Sequence, residues 1–168
     1  MKKEMELKLV ELYPKIFRDY GGDMRMTCMA WGIACGDGWY SLLDSMCQTI
    51  ELLTADKDMQ VIADQVKEKF GGLRFYYHVE YKRNILDKTR SKFSTFMCRH
   101  KWGVAYNKII DWKKKYYKST VEKISDVVEY AESQSYRTCE SCGGPGNRSG
   151  GSWIRVICEE CDNKQSKK

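Results

Sequence analysis

The chain has little proline, little histidine and no long apolar run, and each shortage narrows its class. Only Pro14 and Pro145 occur among 168 residues, so no proline-rich linker divides the chain. The longest stretch without a charged residue runs from Met26 to Gly36 and stops at Asp37. A membrane-spanning helix needs about 20 apolar residues, so none is expected. The opening residues, Met1-Lys2-Lys3-Glu4-Met5-Glu6, mix charges and have no apolar segment, which does not fit a secretory leader. A cytoplasmic protein with no membrane partner is expected. The two histidines, His78 and His100, stand without a Ser/His/Asp order, a phosphate-binding glycine loop or an open metal triad. A binding protein is the better reading than an enzyme, and no catalytic residue is assigned.

What is present describes a folded chain. Hydrophobic residues make up 42% and charged residues 31% of 19.7 kDa, enough for one domain with a core and room for a small appendage. Eight cysteines in a chain read as cytoplasmic point to metal binding or free thiols before disulfides. Four are paired by spacing, Cys139-Glu-Ser-Cys142 and Cys158-Glu-Glu-Cys161, with fifteen residues between the pairs. Two such C-x2-C turns complete a tetrahedron of thiolates around zinc at about 2.3 Å. Four cysteine ligands leave no position for a reactive water, so the zinc is expected to be structural. Gly143 and Gly144 follow the first pair and permit the positive φ that such a turn uses. A redox C-x-x-C would sit beside a βαβ pattern, and none is visible. Cys28, Cys35, Cys47 and Cys98 are scattered. Cys47 lies on an apolar helical face and reads as a small core hydrophobe. Cys28 and Cys35 are a weaker candidate pair for a second site.

Periodicity outlines the elements. Residues 4–20 read as an amphipathic helix kinked or split at Pro14. Residues 26–36 read as a buried strand or loop around Trp31. Asp37 is placed as the N-cap of a helix over 38–53 whose inner face is Leu42, Leu43, Met46, Ile50 and Leu53. Residues 61–70 and 73–79 flank Gly71-Gly72, read as a two-residue hairpin turn. On the second strand Leu73, Phe75, Tyr77 and Val79 alternate with Arg74, Tyr76, His78 and Glu80. Two helices are expected at 84–98 and 103–117. The sequence Ser119-Thr120-Val121-Glu122 resembles a capping box that opens a further helix to about Ser135. A strand at 152–157 and a frayed end from Asp162 close the chain. The fold class is α+β: helices packed on a small antiparallel sheet, with a C-terminal zinc-ribbon-like module over 137–168.

Residues 81–118 differ in composition from the rest. They hold twelve lysines and arginines against Asp87 and Asp111, a net of +10, which leaves −4 for the remainder of a chain whose total is +6. Aromatic residues from Phe93 to Tyr117 are interleaved. Cations neutralise phosphates and rings stack on bases, so Lys101, Lys108, Lys113, Lys114, Lys115 and Lys118 are candidate nucleic-acid contacts. The plainer alternative is two helices with aromatics inward and a solvated lysine face. A second candidate site combines Trp31, Asp37, Trp39, Lys67, Lys69, Arg74 and Tyr76, where cations, aromatics and a helix N-terminus would suit a small or cyclic nucleotide.

Three segments taken together are distinctive: Met29-Ala30-Trp31-Gly32 running into Cys35-Gly36-Asp37-Gly38-Trp39; Gln65-Val66-Lys67-Glu68-Lys69-Phe70-Gly71-Gly72-Leu73-Arg74-Phe75-Tyr76; and the cysteine pairs with Trp153-Ile154-Arg155. The combination resembles an uncharacterised family of small bacteriophage and prophage proteins. The resemblance spans most of the chain outside 81–118 and implies that this stretch is an insertion between the core (1–80) and the helix (119–136) that completes it. It supplies a phage setting, hence the host cytoplasm, and no mechanism. The expected role is an accessory protein that binds nucleic acid or a host protein, with blunting of a host defence as one outcome. A small-nucleotide binder and a protein–protein adaptor or inhibitor are the alternatives.

Overall fold

Pro14 sets the first boundary. The residue before a proline is driven out of the helical region, and Tyr13 sits at φ −125°, ψ 57°, so helix α1 is Lys3–Leu12 and not 4–20. The chain then turns through 14–20 and still buries Ile16 and Phe17. The structure, a computed structural model, describes residues 1–81, 103–149 and 154–165. After α1 come a 3-10 turn at Cys28–Trp31, strand β1 (Ile33–Ala34), a 3-10 turn at Asp37–Trp39 and helix α2 (Tyr40–Thr54). Strands β2 (Met59–Lys69) and β3 (Gly72–Tyr81) follow, then helix α3 (Gly103–Ser135). Strands β4 (Asn147–Ser149) and β5 (Arg155–Ile157) and helix α4 (Glu159–Gln165) complete the described elements.

The fold is mixed helix and strand around a three-stranded sheet of order β1-β2-β3. β2 and β3 are antiparallel, from Met59 opposite Tyr81 to Lys69 opposite Gly72. β1 runs parallel to β2, Ile33 beside Val66, so the sheet is mixed where an antiparallel one was expected. The hairpin turn lies one residue earlier than Gly71-Gly72. Its two central residues are Phe70 (φ 55°) and Gly71 (φ 77°), both positive as a type I′ turn requires. Gly72 belongs to β3 and serves a different need: a Cβ there would lie 2.6 Å from Cζ of Tyr136.

The expected alternation on β3 is present. Leu73 and Phe75 are buried, while Arg74, Tyr76 and His78 face outward. The inner face packs on α2 through Leu43, Met46, Cys47 and Ile50, and on α3 through Ile124, Val128 and Ala131. The outer edge of β3 is not left open at this end. The Leu73 N–H donates to Ser135 Oγ (2.8 Å) and the Phe75 N–H to Glu132 Oε1 (2.9 Å), both from α3.

Two local expectations give way to longer-range packing. The 26–36 segment is a turn followed by the short strand β1, as expected, but it buries Met29 and Ile33 and leaves Trp31 73% exposed. The helix expected to begin at Ser119 is instead the second half of one helix of 33 residues, about 50 Å long. No glycine or proline interrupts it from Val104 to Ser135, and Thr120 is buried within it. A capping-box pattern acts only where the backbone leaves helical geometry, and here nothing makes it do so. The expected helix at 84–98 lies outside the described residues. Asp162, expected to begin a frayed end, lies inside α4.

Candidate metal centre

The first cysteine pair is folded by its own backbone. The Cys139 N–H donates to the Gly144 carbonyl (2.7 Å) and the Gly143 N–H to the Cys139 carbonyl (2.9 Å). Gly143 takes φ 80°, as the sequence led one to expect, while Gly144 is not in that region. The second pair reaches the first through the short antiparallel β4–β5 ladder, in which Asn147 is opposite Ile157. The Glu140 N–H donates to the Val156 carbonyl (2.9 Å) and locks the two halves together. Cys158 lies just before α4 and Cys161 within its first turn, and the Asp162 N–H donates to the Cys158 carbonyl (3.0 Å). The three-residue spacing keeps both sulfurs on one side.

The four sulfurs of Cys139, Cys142, Cys158 and Cys161 lie within 4.8 Å of one another. Cys142 Sγ and Cys158 Sγ are 3.7 Å apart. Tetrahedral ligands at about 2.3 Å from a metal are about 3.8 Å apart, so this donor set could hold one metal ion. Among the described residues it is the one group of three or more histidine, cysteine or acidic side chains that could do so. Cys28 is exposed and Cys35 buried, and neither joins it.

The electrostatics of the cluster would suit a cation. Burial pushes the Cys139 thiol up, yet the backbone N–H groups of Cys158, Cys142 and Ser141 aimed at its sulfur bring it down to about 7. The Gly144 N–H favours a Cys142 thiolate, but the adjoining Cys139 and Cys158 sulfurs leave it raised. Cys161 is pushed up to about 12, chiefly by the sulfur of Cys158. One thiolate forms readily; further negative charge at the same point needs a positive ion among the sulfurs. An ion held by all four sulfurs would have no coordination position left for water, so such a centre would serve structure and not catalysis.

The Cys-Gly-Asp-Gly-Trp segment explains itself here. The Gly38 N–H donates to the Glu140 carbonyl (2.8 Å), the Gly36 N–H to Glu140 Oε1 (2.9 Å), and the Trp39 indole N–H to the Thr138 carbonyl (2.9 Å). A Cβ at Gly36 would lie 2.2 Å from the Glu140 carbonyl oxygen, and one at Gly38 2.1 Å from that of Cys139. Both glycines are required by close approach. Burial pushes the Glu140 carboxyl up, against the Gly36 N–H that favours its charge. Gly71 also lies against the module, more loosely: its Cβ position is 3.1 Å from a side-chain carbon of Ile154 and 3.6 Å from one of Val156. The cysteine module is therefore seated on both glycine motifs of the core, and its loss would expose backbone on each.

Asp37 does not cap its own helix. Its Oδ1 accepts the Lys2 N–H (2.7 Å) and its Oδ2 is 3.5 Å from Lys2 Nζ. Trp39 is fully buried in the core and offers no surface to a ligand on the face of Lys67, Arg74 and Tyr76, and Trp31 stands exposed on its own turn. The seven residues considered for a small-nucleotide site thus do not converge. Lys67, Lys69, Arg74 and Tyr76 do share a face, since Lys67 is opposite Arg74 and Lys69 opposite Gly72. Of the basic residues, Lys108, Lys113, Lys114, Lys115 and Lys118 lie on α3, where Lys115 and Lys118 are exposed. Lys101 lies outside the described residues. Tyr117 packs edge-on against Tyr81, ring centroids 5.1 Å apart, so this interleaved aromatic is a packing residue.

Sequence reasoning missed an Asp–His pair. A bulge between Ala63 and Gln65 re-aims Asp64, and its Oδ1 lies 2.7 Å from His78 Nδ1. His78 Nε2 is 3.6 Å from Glu80, which also holds Arg18 at 2.8 Å. The bulge has no mark in the strand's composition. No described helix is long and apolar enough to cross a membrane. Set against family models, curated proteins and solved structures, the chain finds no match in any of the three.

Proposed function

We propose that this chain is a zinc-stabilised accessory protein of a bacteriophage that binds nucleic acid through its lysine-rich stretch. The observation that carries the reading is the segregation of charge: +10 within 81–118 against −4 elsewhere. Its C-terminal end supports this, because Lys115 and Lys118 are exposed on α3 just before the buried positions Thr120 and Ile124. Such a surface neutralises phosphates and releases counterions. Zinc is the metal that four thiolates at this spacing select, in a zinc-ribbon-like module. The phage setting rests on the sequence resemblance.

The test is anisotropy of labelled duplex DNA and RNA with the full-length zinc-loaded chain across a salt series. Log affinity is expected to fall linearly with log salt, and Lys115→Gln with Lys118→Gln to flatten that slope by about two contacts. Substitution is preferred to deletion, because removing residues up to 118 would cut α3. No binding at low salt, or an affinity indifferent to salt, would reject the reading in favour of a protein partner.

A further inference from the structure

The outer face of the sheet carries a second pattern, independent of α3. Gly72, Arg74 and Tyr76 follow one another along one side of β3, with Lys69, Lys67 and Gln65 opposite them on β2. The Tyr136 ring, from the end of α3, fills the space over Gly72 where a side chain would stand. Two partly exposed rings, Tyr136 (37%) and Tyr76 (44%), therefore flank Arg74 on one strip. Each ring carries a cation: the Lys67 ammonium lies 5.4 Å from the Tyr76 centroid, and the Arg74 guanidinium 5.6 Å from that of Tyr136. Arg74 also donates to the Tyr136 hydroxyl and lies 3.6 Å from Glu132, which holds it in place. The strip has limits. Beyond it His78 is tied to Asp64, and its cross-strand neighbour Ile62 is fully buried.

We propose that this strip, Lys67, Lys69, Arg74, Tyr76 and Tyr136, is a stacking platform for a short run of unpaired nucleotides. Successive outward residues on a strand are about 6.7 Å apart, and four residues along β3 separate Gly72, under Tyr136, from Tyr76. Two rings about 13 Å apart accept alternate bases of an extended strand, with the Arg74 guanidinium between them. The Lys67 ammonium leaves the Tyr76 ring for a phosphate, with Lys69 beside it, while Arg74 stays fixed. A duplex presents no free base faces and is disfavoured at such a surface. The inference deepens the nucleic-acid reading by naming single-stranded chains as the ligand of a second surface, and it stands without the α3 lysines.

The test uses an eight-nucleotide labelled DNA or RNA strand and the duplex of the same length, with the full-length zinc-loaded chain. Tyr76→Ala is expected to weaken single-strand binding by about tenfold, Tyr76→Phe to restore it, and neither to change duplex binding or the melting temperature. Lys115→Gln with Lys118→Gln is expected to weaken duplex binding and leave the Tyr76 effect on the octamer intact. Equal affinity of wild type and Tyr76→Ala for the octamer would overturn the platform while leaving the α3 reading standing. Binding of the duplex at least as tightly to the same face, read as a Tyr76→Ala loss on both ligands, would overturn the single-strand assignment. Ultraviolet crosslinking of the octamer to Tyr76 or Tyr136 is the expected positive signature, and crosslinks confined to residues 82–118 would count against it.

Discussion

Gly38→Ala tests the seating of the cysteine module more sharply than any cysteine substitution. The new Cβ would stand 2.1 Å from the Cys139 carbonyl oxygen and 2.4 Å from the Gly143 nitrogen. Ordinary contact begins above 3 Å, so the two backbones must part by about 1 Å or more. All the obstructing atoms are main chain, and none can rotate away. Overpacking of this kind costs about 1–3 kcal/mol. Parting the strands also strains the Gly38–Glu140 and Trp39–Thr138 hydrogen bonds, each worth about 1 kcal/mol net. The sum, about 3–5 kcal/mol, is a large share of the stability of a domain this size. The assay is urea unfolding of the zinc-loaded chain, with Gly144→Ala as the control. Gly144 belongs to the same motif, yet the nearest atom to its Cβ is Cys142 Sγ at an ordinary 3.6 Å, so a loss below about 1 kcal/mol is expected there. Equal behaviour of the two alanine variants would refute the seating argument.

Other consequences follow from the same contacts. Phe70 holds φ 55° in the hairpin turn, a conformation that costs a side chain with a Cβ about 1–2 kcal/mol; Phe70→Asn, giving the Asn-Gly pair such turns favour, is expected to raise the unfolding free energy by about 1 kcal/mol. Glu132→Ala removes the acceptor of the Phe75 N–H and the partner of Arg74, and a loss of about 1–3 kcal/mol is expected in the same assay. Burial pushes the Cys35 thiol up to about 12 and raises that of Cys47 as well. Thiols raised in the folded state favour folding fully below their unfolded value near 9, so stability should fall as pH rises beyond it, by about 1.4 kcal/mol per unit for each thiol. Denaturation midpoints from pH 8 to 11 should show this, with a shallower slope in Cys47→Ala; an unchanged slope would contradict it.

What could be read from the residues divides by the range of the contact. The hairpin and α2 were legible because a buried face leaves a period in the sequence, two along Leu73-Phe75-Tyr77 and nearly four along Leu43-Met46-Cys47-Ile50. The clustering of the four cysteines was legible because paired thiols that meet around one point have a characteristic spacing. The role of the glycines was not legible. Gly36 and Gly38 serve a surface about a hundred residues away, and no local signal distinguishes that from a turn. Gly72 lies one residue past the turn, where the Tyr136 ring fills the space above it, again a contact across the chain. At Ser119 the local pattern was explicit and wrong: packing of Ile124, Val128 and Ala131 carries the helix straight through it.

The central claim is that four thiolates close a module on a divalent ion and that this module is bonded to the core. Titrating the purified, reduced chain with a strong chelator, while zinc release and Trp39 fluorescence are followed together in a chain whose other tryptophans are replaced by phenylalanine, tests both halves at once. One zinc per chain should leave, with a red shift of the Trp39 emission as its indole N–H parts from Thr138. Metal-free protein, or stoichiometric release with Trp39 emission unchanged, would contradict the account.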